Sequence, residues 1–230
     1  MNRDNLKERY LAAAEYFRLL AEKEDRLLIS ISVLRFLCFS GGLILVWRVF
    51  LQSVLIGFLL TPAVIILFVY LLKLYSDHSY KKEFLNNQIL INHNEAEAIS
   101  GHLSQFESGN EYIRTSHDFS FDVDLFGESS LFQYLNRTVT GYGRDILSEW
   151  LSDPYALAPD LVTRQGVIRE LAIKDKWRHK FMATGMKIPL EKSNITSLLK
   201  WMEEDTLIKS SSIHKFLIWF LPVAAILSLL

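Results

Sequence analysis

The chain has 230 residues, enough for one or two domains, and half of them are apolar. Its formal net charge is −1, so the composition excludes an intrinsically disordered chain and a strongly basic nucleic-acid-binding domain. Cys38 is the single cysteine, which excludes an intrachain disulfide and gives no sign of an oxidising compartment.

The first residues predict an amphipathic helix over 4–26. Its apolar residues recur at spacings of four and three, and they are Leu6, Tyr10, Ala13, Phe17 and Leu20. Such a short stripe can pair with a partner helix or pack on the chain's own domain, and we expect the second. Charges of both signs fill residues 1–26, unlike the start of a secretory signal peptide.

The stretch from Leu27 to Tyr75 predicts a transmembrane hairpin. It contains no Asp or Glu, and its only full charges are Arg35, Arg48 and Lys73. One helix of this length would measure about 73 Å, whereas a hydrocarbon core of about 30 Å needs roughly 20 residues. We therefore predict spans at 27–47 and 54–72, joined by a turn over 48–53. A buried hairpin of a soluble protein would need charges on its outer face.

Basic residues flank both spans at the same end, namely Arg18, Lys23, Arg26, Lys73, Lys81 and Lys82. The turn has Arg48 alone, so both flanks are predicted to face the cytoplasm, as in a multi-pass protein of the inner (cytoplasmic) membrane. Arg35 lies about two turns inside the first span and is expected to snorkel back, since neither span offers an acidic partner. The pair Gly41-Gly42 predicts close packing of the two spans.

The polar residues that follow predict a mainly helical domain. A helix is expected over 86–106, and the alternating residues 119–125 predict a short extended strand. Thr140 is expected to cap a helix that ends at Leu151 before Asp153-Pro154. Its inner face would consist of Ile146, Leu147, Trp150 and Leu151.

Three more helices and a further apolar stretch complete the chain. Asp160 can cap the first helix, and its apolar face would consist of Leu161, Ile168, Leu171 and Ala172. The second helix covers 176–184 and ends at Gly185. Ser193 can cap the third, with a face of Ile195, Leu198, Leu199 and Met202. Residues 216–230 predict the start of another transmembrane segment. The predicted fold class is all-α.

Partial motifs for known chemistry all fail, so the sequence predicts no catalytic, cofactor-binding or metal-binding residue. Asp122, Asp124 and Gly127 match three positions of a calcium loop, but Phe126 and Gln133 stand where carboxylates belong. Residues 127–131 lack the closing glycine of a nucleophile elbow, residues 141–146 lack the third glycine of a dinucleotide fingerprint, and no GxxxxGK[ST] occurs. The six histidines show no paired ligand spacing, and His93, Glu95 and Glu97 are expected on a solvated helix face.

The stretch Asp124–Gly143, DLFGESSLFQYLNRTVTGYG, resembles the opening of the core domain of the MutS family. In that family an "LFG…SL" segment leads into an "LN/D-x-T-x-T-x-x-G" turn. Residues 146–154 are similar to the family's "LL..WL..P", and residues 164–171 are similar to its "RqdaVeeL". Order and spacing agree across about a quarter of the chain.

The resemblance implies an architectural role and no active site. In the family these residues build the helical core between the DNA clamp and the ATPase. Thr140 would cap a helix, Gly143 would let its first turn approach a neighbour, and Arg164 and Gln165 would tie adjacent helices together. Mismatch recognition is not implied, since membrane helices replace the family's N-terminal domain with its Phe-x-Glu wedge.

The implied protein is the N-terminal portion of a membrane-tethered DNA repair ATPase that resembles the MutS (DNA mismatch repair) family. ATP and Mg²⁺ would bind only in a C-terminal part beyond Leu230, and the partners would be the lipid bilayer, a second copy in a homodimer, and DNA through the missing regions. The domains would be a cytoplasmic helix at 1–26, a two-span hairpin at 27–75, a helical connector at 76–120, the core-like domain at 121–214 and a further transmembrane segment from 215 to 230.

Two other interpretations stay open at the level of sequence. One is a membrane-anchored helical scaffold that binds protein and does not repair DNA. The other is a small membrane enzyme that holds a metal ion on Asp122 and Asp124. Loss of metal binding on Asp124→Ala would be required for the latter.

Overall fold

The computed structural model describes residues 3–114, 120, 122–153, 161–187, 192–203 and 220, and every regular element among them is helical. The chain divides into two compact units, residues 1–189 and 190–230. The first unit contains α1 (Arg3–Phe50), α2 (Val54–Ile99), a 3-10 helix (Asn110–Tyr112), α3 (Leu131–Leu135), α4 (Gly141–Ser152), α5 (Leu161–Ala172) and α6 (Asp175–Gly185), and the second contains α7 (Lys192–Glu203). The predicted all-α class is confirmed for these residues.

Helices α1 and α2 form one long antiparallel hairpin. Phe50 and Phe58 pack edge to face beside the turn, and at the far end the Lys7 Nζ donates to Ser100 Oγ at 2.7 Å. The predicted turn over 48–53 is shorter in the structure, where α1 continues to Phe50 and α2 begins at Val54. The backbone N–H of Ser53 still donates to the Val49 carbonyl at 2.8 Å, which closes the turn.

Each helix continues well past its apolar part, and the two polar ends pack together as a stalk, defined as residues 3–26 of α1 and 76–99 of α2. The predicted helix over 4–26 is therefore the beginning of α1, and the predicted helix over 86–106 is the end of α2, which stops at Ile99. Residues 3–40 contain neither Gly nor Pro, so nothing interrupts α1 at the predicted membrane boundary.

The stalk packs through a seven-residue repeat. Ala14, Ala21 and Leu28 are buried on α1, while Leu71, Leu85 and Asn92 are buried at multiples of seven on α2. A repeat of seven keeps two helices in contact as they wind around each other. The apolar stripe predicted from Leu6 to Leu20 is partly buried on this side, so packing on the chain's own helix is confirmed.

Both long helices are long enough and apolar enough to cross a membrane, judged by length and composition. Within the chain itself their apolar side chains stay uncovered: Phe36 is 69% exposed, Leu55 73% and Ile66 69%. Arg35 stacks over the Tyr75 ring at 4.9 Å, three residues past the end of the second predicted span. The Arg35 side chain therefore points toward the polar end of the hairpin, as expected of an arginine that snorkels.

Only one glycine of the predicted Gly41-Gly42 pair lies where the helices touch. A Cβ at Gly42 would stand 2.6 Å from Val64 Cγ1, whereas a Cβ at Gly41 would meet nothing within 4 Å. We predict that Gly42→Leu lowers the stability of the hairpin by about 1–3 kcal/mol through overpacking. Thermal unfolding followed by circular dichroism in one detergent would measure it. Gly41→Leu is the matched control, and equal losses in both variants would contradict the prediction.

The predicted strand over 119–125 is wrong for the residues described there. Ser120 and residues 122–124 form a turn, in which the Leu125 N–H donates to the Ser120 carbonyl at 3.0 Å. Asp124 has a φ of 47°, which is incompatible with an extended strand. Phe119 and Phe121 lie outside the described residues. The turn places Leu125 in the interior, whereas Val123 of the same apolar alternation is 60% exposed.

Helix α4 follows the prediction at its start and partly along its inner face. Thr140 caps it, and Leu147 and Leu151 pack against a buried apolar cluster. Trp150 is 44% exposed, so its assignment to the inner face is wrong. Pro154, the predicted helix stop, lies outside the described residues.

The remaining helices occur where they were predicted, with differences in burial. No residue of α5 is buried, and its predicted face is exposed at Leu161 and Ile168. Helix α6 ends at Gly185 and packs on α2, where the Asn87 Nδ2 donates to the Ala183 carbonyl at 3.1 Å.

In the second unit, Leu199 and Met202 of α7 are exposed. Helix α7 begins at Lys192, so Ser193 lies within its first turn and not at the predicted cap position. Asp160 and the side chains of Ser193, Ile195 and Leu198 lie outside what the structure describes. Of the apolar stretch 216–230, Phe220 alone is described.

Candidate functional site

The segment that contains the motif of residues 124–143 folds around three buried side chains, Leu125, Phe126 and Phe132. Phe132 is fully buried, and its ring centroid lies 5.4 Å from that of Phe126 and 5.6 Å from that of Tyr112. Separations of this size are typical of favourable aromatic pairs. We call residues 106–112 together with 122–152 the motif module. The Leu and Phe of "LFG" and the Phe of "SLF" are therefore the core of this module.

Gly127, the glycine of "LFG", adopts a backbone conformation that other residues rarely take. Its φ is 114°, and its N–H donates to the Ser108 carbonyl at 2.9 Å. The Phe132 N–H in turn donates to the Leu125 carbonyl at 3.0 Å. These two bonds close the loop that buries Phe126.

The polar side chains of the motif form hydrogen bonds with backbone N–H and carbonyl groups. Ser130 caps α3 by accepting from the Gln133 N–H at 3.2 Å, and Gln133 accepts from the Ser129 N–H at 2.7 Å. The Gln133 Nε2 also donates to the Phe106 carbonyl at 2.8 Å. Asn136 donates to the Glu107 carbonyl at 3.2 Å and accepts from the Thr138 N–H at 3.0 Å. The side chains of Ser130, Gln133 and Asn136 therefore stabilise the fold of the module.

Arg137 connects the motif module to the stalk. Its guanidinium donates to both carboxylate oxygens of Glu95 on α2, at 2.6 and 3.4 Å, and it lies 3.7 Å from the centroid of the Phe106 ring. Both partners of the ion pair are mostly buried, with side-chain exposures of 24% for Arg137 and 19% for Glu95. The prediction that Glu95 lies on a solvated face is therefore wrong, although His93 and Glu97 are exposed.

The capping role that the resemblance implied for Thr140 is confirmed. Its Oγ1 accepts from the Gly143 N–H at 3.1 Å. A Cβ at Gly143 would lie 3.2 Å from that same oxygen and 3.6 Å from Thr138, so the first turn of α4 does approach a neighbouring segment. The close contact with Thr140 leaves little room for a Cβ, which explains the glycine at position 143.

Further contacts hold α4 to the start of the module. The Tyr112 hydroxyl donates to Asp145 Oδ1 at 2.6 Å, and burial, followed by this carboxylate, strongly raises the pKa of the Tyr112 phenol. Arg144 forms ion pairs with Glu107 and Glu111. The phenol is thus held neutral, which fits a structural role and not acid–base catalysis at neutral pH.

Arg164 and Gln165 were both expected to connect adjacent helices, and Arg164 does so. The Arg164 guanidinium of α5 stacks over the Trp150 ring of α4 at 4.1 Å, so the tie is a cation–π contact. Gln165 is exposed and makes no hydrogen bond with any described residue.

A second polar cluster, which the sequence did not predict, lies in the stalk just before the predicted spans. The buried carboxylate of Glu24 accepts from His78 Nδ1 at 2.7 Å and from Lys81 Nζ at 2.5 Å, and Asp25 pairs with Lys82 beside it. The hydrogen bonds from Lys81 and then from His78 lower the pKa of Glu24 despite its burial. Glu24 lies three residues after Ala21 and four before Leu28, so it shares their face of α1. An acid on that face, with bases following the second predicted span, was the available signal.

We predict that this cluster makes the stalk acid-sensitive. Since the folded pKa of Glu24 lies below its ordinary value of 4.5, its contribution is fully present above that pH and is lost as the pH falls through the folded pKa. Glu24→Gln should lower stability by about 1–2 kcal/mol at pH 7 and by much less in acid. Thermal midpoints at pH 7 and pH 3.5 in detergent would show it, with exposed Glu8→Gln as control. Parallel pH curves for Glu24→Gln and wild type would contradict the prediction.

The residues considered for metal chemistry do not converge in the part of the chain that is described. Asp122 and Asp124 are exposed, and no group of three His, Cys, Asp or Glu side chains comes together among the described residues. His78 is bound to Glu24, and His102 to Glu97 at 2.9 Å. His117 and His214 lie outside the described residues.

The candidate site is thus a helical module whose motif residues cap, turn and pack, attached to a stalk by one buried ion pair. Its described residues bring together no catalytic constellation. No family model, curated protein or solved structure matches the chain.

Proposed function

We propose that this chain is the membrane anchor and the first part of the helical core of a membrane-tethered MutS-like ATPase. In this proposal the hairpin lies in the inner membrane, the stalk and motif module lie in the cytoplasm, and the region after Leu230 carries the ATP and Mg²⁺ site. The parent would act as a homodimer on DNA or another ligand near the membrane.

The exposed apolar side chains of the hairpin support the membrane anchor. A core helix of a soluble protein has its apolar residues covered, whereas Leu43, Leu59 and Ile66 are each more than 60% exposed. Lipid is a solvent in which such a surface is stable. The Glu24 cluster begins three residues before the first predicted span, as expected where a hairpin enters the polar interface.

The motif module supports the other part of the proposal, that the chain contains the first part of a MutS-like helical core. The motif residues make exclusively architectural contacts in the described structure, and Arg137 fixes the module to the stalk through Glu95. An architectural role is what the resemblance to the MutS core implies. The module would then transmit motion between the anchor and an ATPase that follows it.

Flotation of membranes in a density gradient tests the anchor. The chain is expected to float with the lipid and to resist extraction by high salt and alkali. Protease added to sealed inside-out vesicles should remove the stalk and the motif module and spare the hairpin. A chain that is soluble and monodisperse without detergent would overturn the anchor.

ATP hydrolysis tests the assignment to an ATPase. The pure chain is expected to hydrolyse no ATP and to bind DNA weakly at best, because its basic and acidic residues are balanced outside the membrane segment. A gene product that continues past Leu230 with a GxxxxGK[ST] motif should hydrolyse ATP with Mg²⁺, in the membrane fraction. Hydrolysis by the pure chain, or tight DNA binding at physiological salt, would contradict the proposal.

A membrane-anchored scaffold is the second candidate, and the uncovered apolar side chains of the last helices favour it. Val162 and Ile173 of the first unit are 82% and 81% exposed, and Trp201 of the second unit is 72% exposed. Such surfaces are typical of protein-binding faces. Mass spectrometry showing a natural C-terminus at Leu230 would favour the scaffold over the ATPase.

A further inference from the structure

A cleft of about 780 Å³ lies between α1, α2 and α6, in the half of the stalk farther from the predicted spans. Its volume is within the range of small-molecule sites. Tyr10, Phe17 and Phe84 form an aromatic wall, and Gln88, Asn92 and His179 lie at its base. The motif module's core, the Glu24 cluster and the two predicted spans contribute no residue to it.

The base of the cleft contains two amide side chains, Gln88 and Asn92, with hydrogen-bonding groups that no described residue uses. Gln88 is only 3% exposed, yet its side-chain amide makes no hydrogen bond with any described residue. Asn92, 2% exposed, donates to the Gln88 backbone carbonyl at 2.8 Å, and its side-chain oxygen accepts from no described group. The free donors and acceptors of these two amides are not among the sealed-off, unpartnered polar atoms of the described residues, so they are open to the cleft and can hydrogen-bond with a ligand in it.

His179 and Tyr10 add a flat surface next to these amides. Their rings stack with centroids 5.7 Å apart and an angle of 27° between the planes. Burial lowers the pKa of His179, and it raises the pKa of Tyr10, so both rings are held neutral near pH 7. A neutral imidazole offers one donor and one acceptor, and neither ring nitrogen of His179 has a partner among the described residues.

The rim of the cleft is positively charged. Lys176 and Lys180 lie one helical turn apart on α6 and are exposed, and their ammonium groups form no ion pair with the described residues. Arg9 is also at the rim, but Asp175 neutralises it through an ion pair of 2.6 Å. The two lysines therefore leave an excess of positive charge, which favours an anionic group at the mouth.

We propose that this cleft binds an adenine nucleotide. The base would stack on the aromatic wall and hydrogen-bond to the Gln88 and Asn92 amides, and the phosphate would meet Lys176 and Lys180. Amide side chains match the donor and acceptor edge of adenine, aromatic rings stack on bases, and ammonium groups bind phosphate. A lipid headgroup is disfavoured, because Phe17 lies about 15 Å along α1 from the first predicted span. This site is separate from the ATP site of the proposed parent.

Equilibrium dialysis of the full chain in detergent micelles tests this site, with AMP, adenosine and inorganic phosphate as probes. AMP should bind at one site. Gln88→Leu should weaken both AMP and adenosine about tenfold by removing base contacts. The double variant Lys176→Gln/Lys180→Gln, on the surface and harmless to folding, should weaken AMP about tenfold and leave adenosine unchanged.

Asn86→Leu, an exposed position two residues from Gln88, and Lys23→Gln, an exposed lysine of α1, are the matched controls. Both should bind all three probes as wild type does. Absence of AMP binding to the wild-type chain would overturn the proposal. So would inorganic phosphate binding as tightly as AMP, or AMP binding that neither the Gln88 variant nor the lysine variant changes.

Discussion

Replacing Phe132 with alanine should unfold the motif module while leaving the long hairpin helical. Phe132 is fully buried between Phe126 and Tyr112, so the substitution removes a whole ring from a small core. Phenylalanine-to-alanine changes in cores cost about 3–5 kcal/mol. The core of this module is only a handful of side chains, so little stability would remain to offset that loss.

Hydrogen exchange of the detergent-solubilised chain, read by mass spectrometry, would locate the effect. Peptides covering 122–152 should lose protection in Phe132→Ala, whereas peptides of α1 should keep it. Tyr134→Ala is the control, since Tyr134 belongs to the same short helix and is 59% exposed. Unchanged protection of 122–152 in Phe132→Ala would show that these aromatic residues are not the core of the module.

Replacing Arg137 with alanine should detach the motif module from the stalk. The variant loses the ion pair with Glu95 and the contact with Phe106, and it leaves a mostly buried carboxylate unpaired. Removal of one partner from a buried pair costs about 3–5 kcal/mol, and partial exposure here reduces the expected loss to about 2–3 kcal/mol. Chemical unfolding in a fixed detergent would measure that loss.

A double-mutant cycle separates this ion pair from general disruption. Glu95→Gln and Arg137→Ala should be non-additive by about 1–2 kcal/mol, because each alone already breaks the contact. Arg169→Ala is the matched control, since Arg169 is exposed on α5 and has no ion pair with a described residue. Additive effects of Glu95→Gln and Arg137→Ala would mean that the two side chains do not stabilise the module together.

The predictions that succeeded are those that depend on neighbours in sequence. Thr140 as a cap and Val54 as the start of the second long helix depend on residues nearby in sequence, and both are found. Helix α6 also ends at Gly185, but this glycine has no positive φ, and a Cβ there would stand 2.6 Å from Val139 Cγ2, so tertiary packing explains the glycine.

The predicted strand failed although its apolar residues alternate: Val123 and Leu125 would share one face of a strand, yet Val123 is 60% exposed and Leu125 is buried. At Leu125 the turn is closed by a hydrogen bond to Ser120, which no sequence period reveals.

Burial was harder to predict, because it depends on partners distant in sequence. Glu95 was expected in solvent, yet Arg137, far along the chain, covers it. Trp150 was expected in the core, yet it is an exposed platform for Arg164. Glu24 and His78 come together only because α1 and α2 run antiparallel in one register. The cleft at Gln88 requires three helices to meet.

The sequence by itself determined the helical class, the apolar hairpin and the cap at Thr140, because each is encoded in residues within a few turns of one another. Only the tertiary structure decided that the polar helices are continuations of the spans, that Gly42 and not Gly41 is the contact point, and that one arginine fastens the module to the stalk. These features depend on which faces meet across the fold, and short-range periodicity carries no information about that.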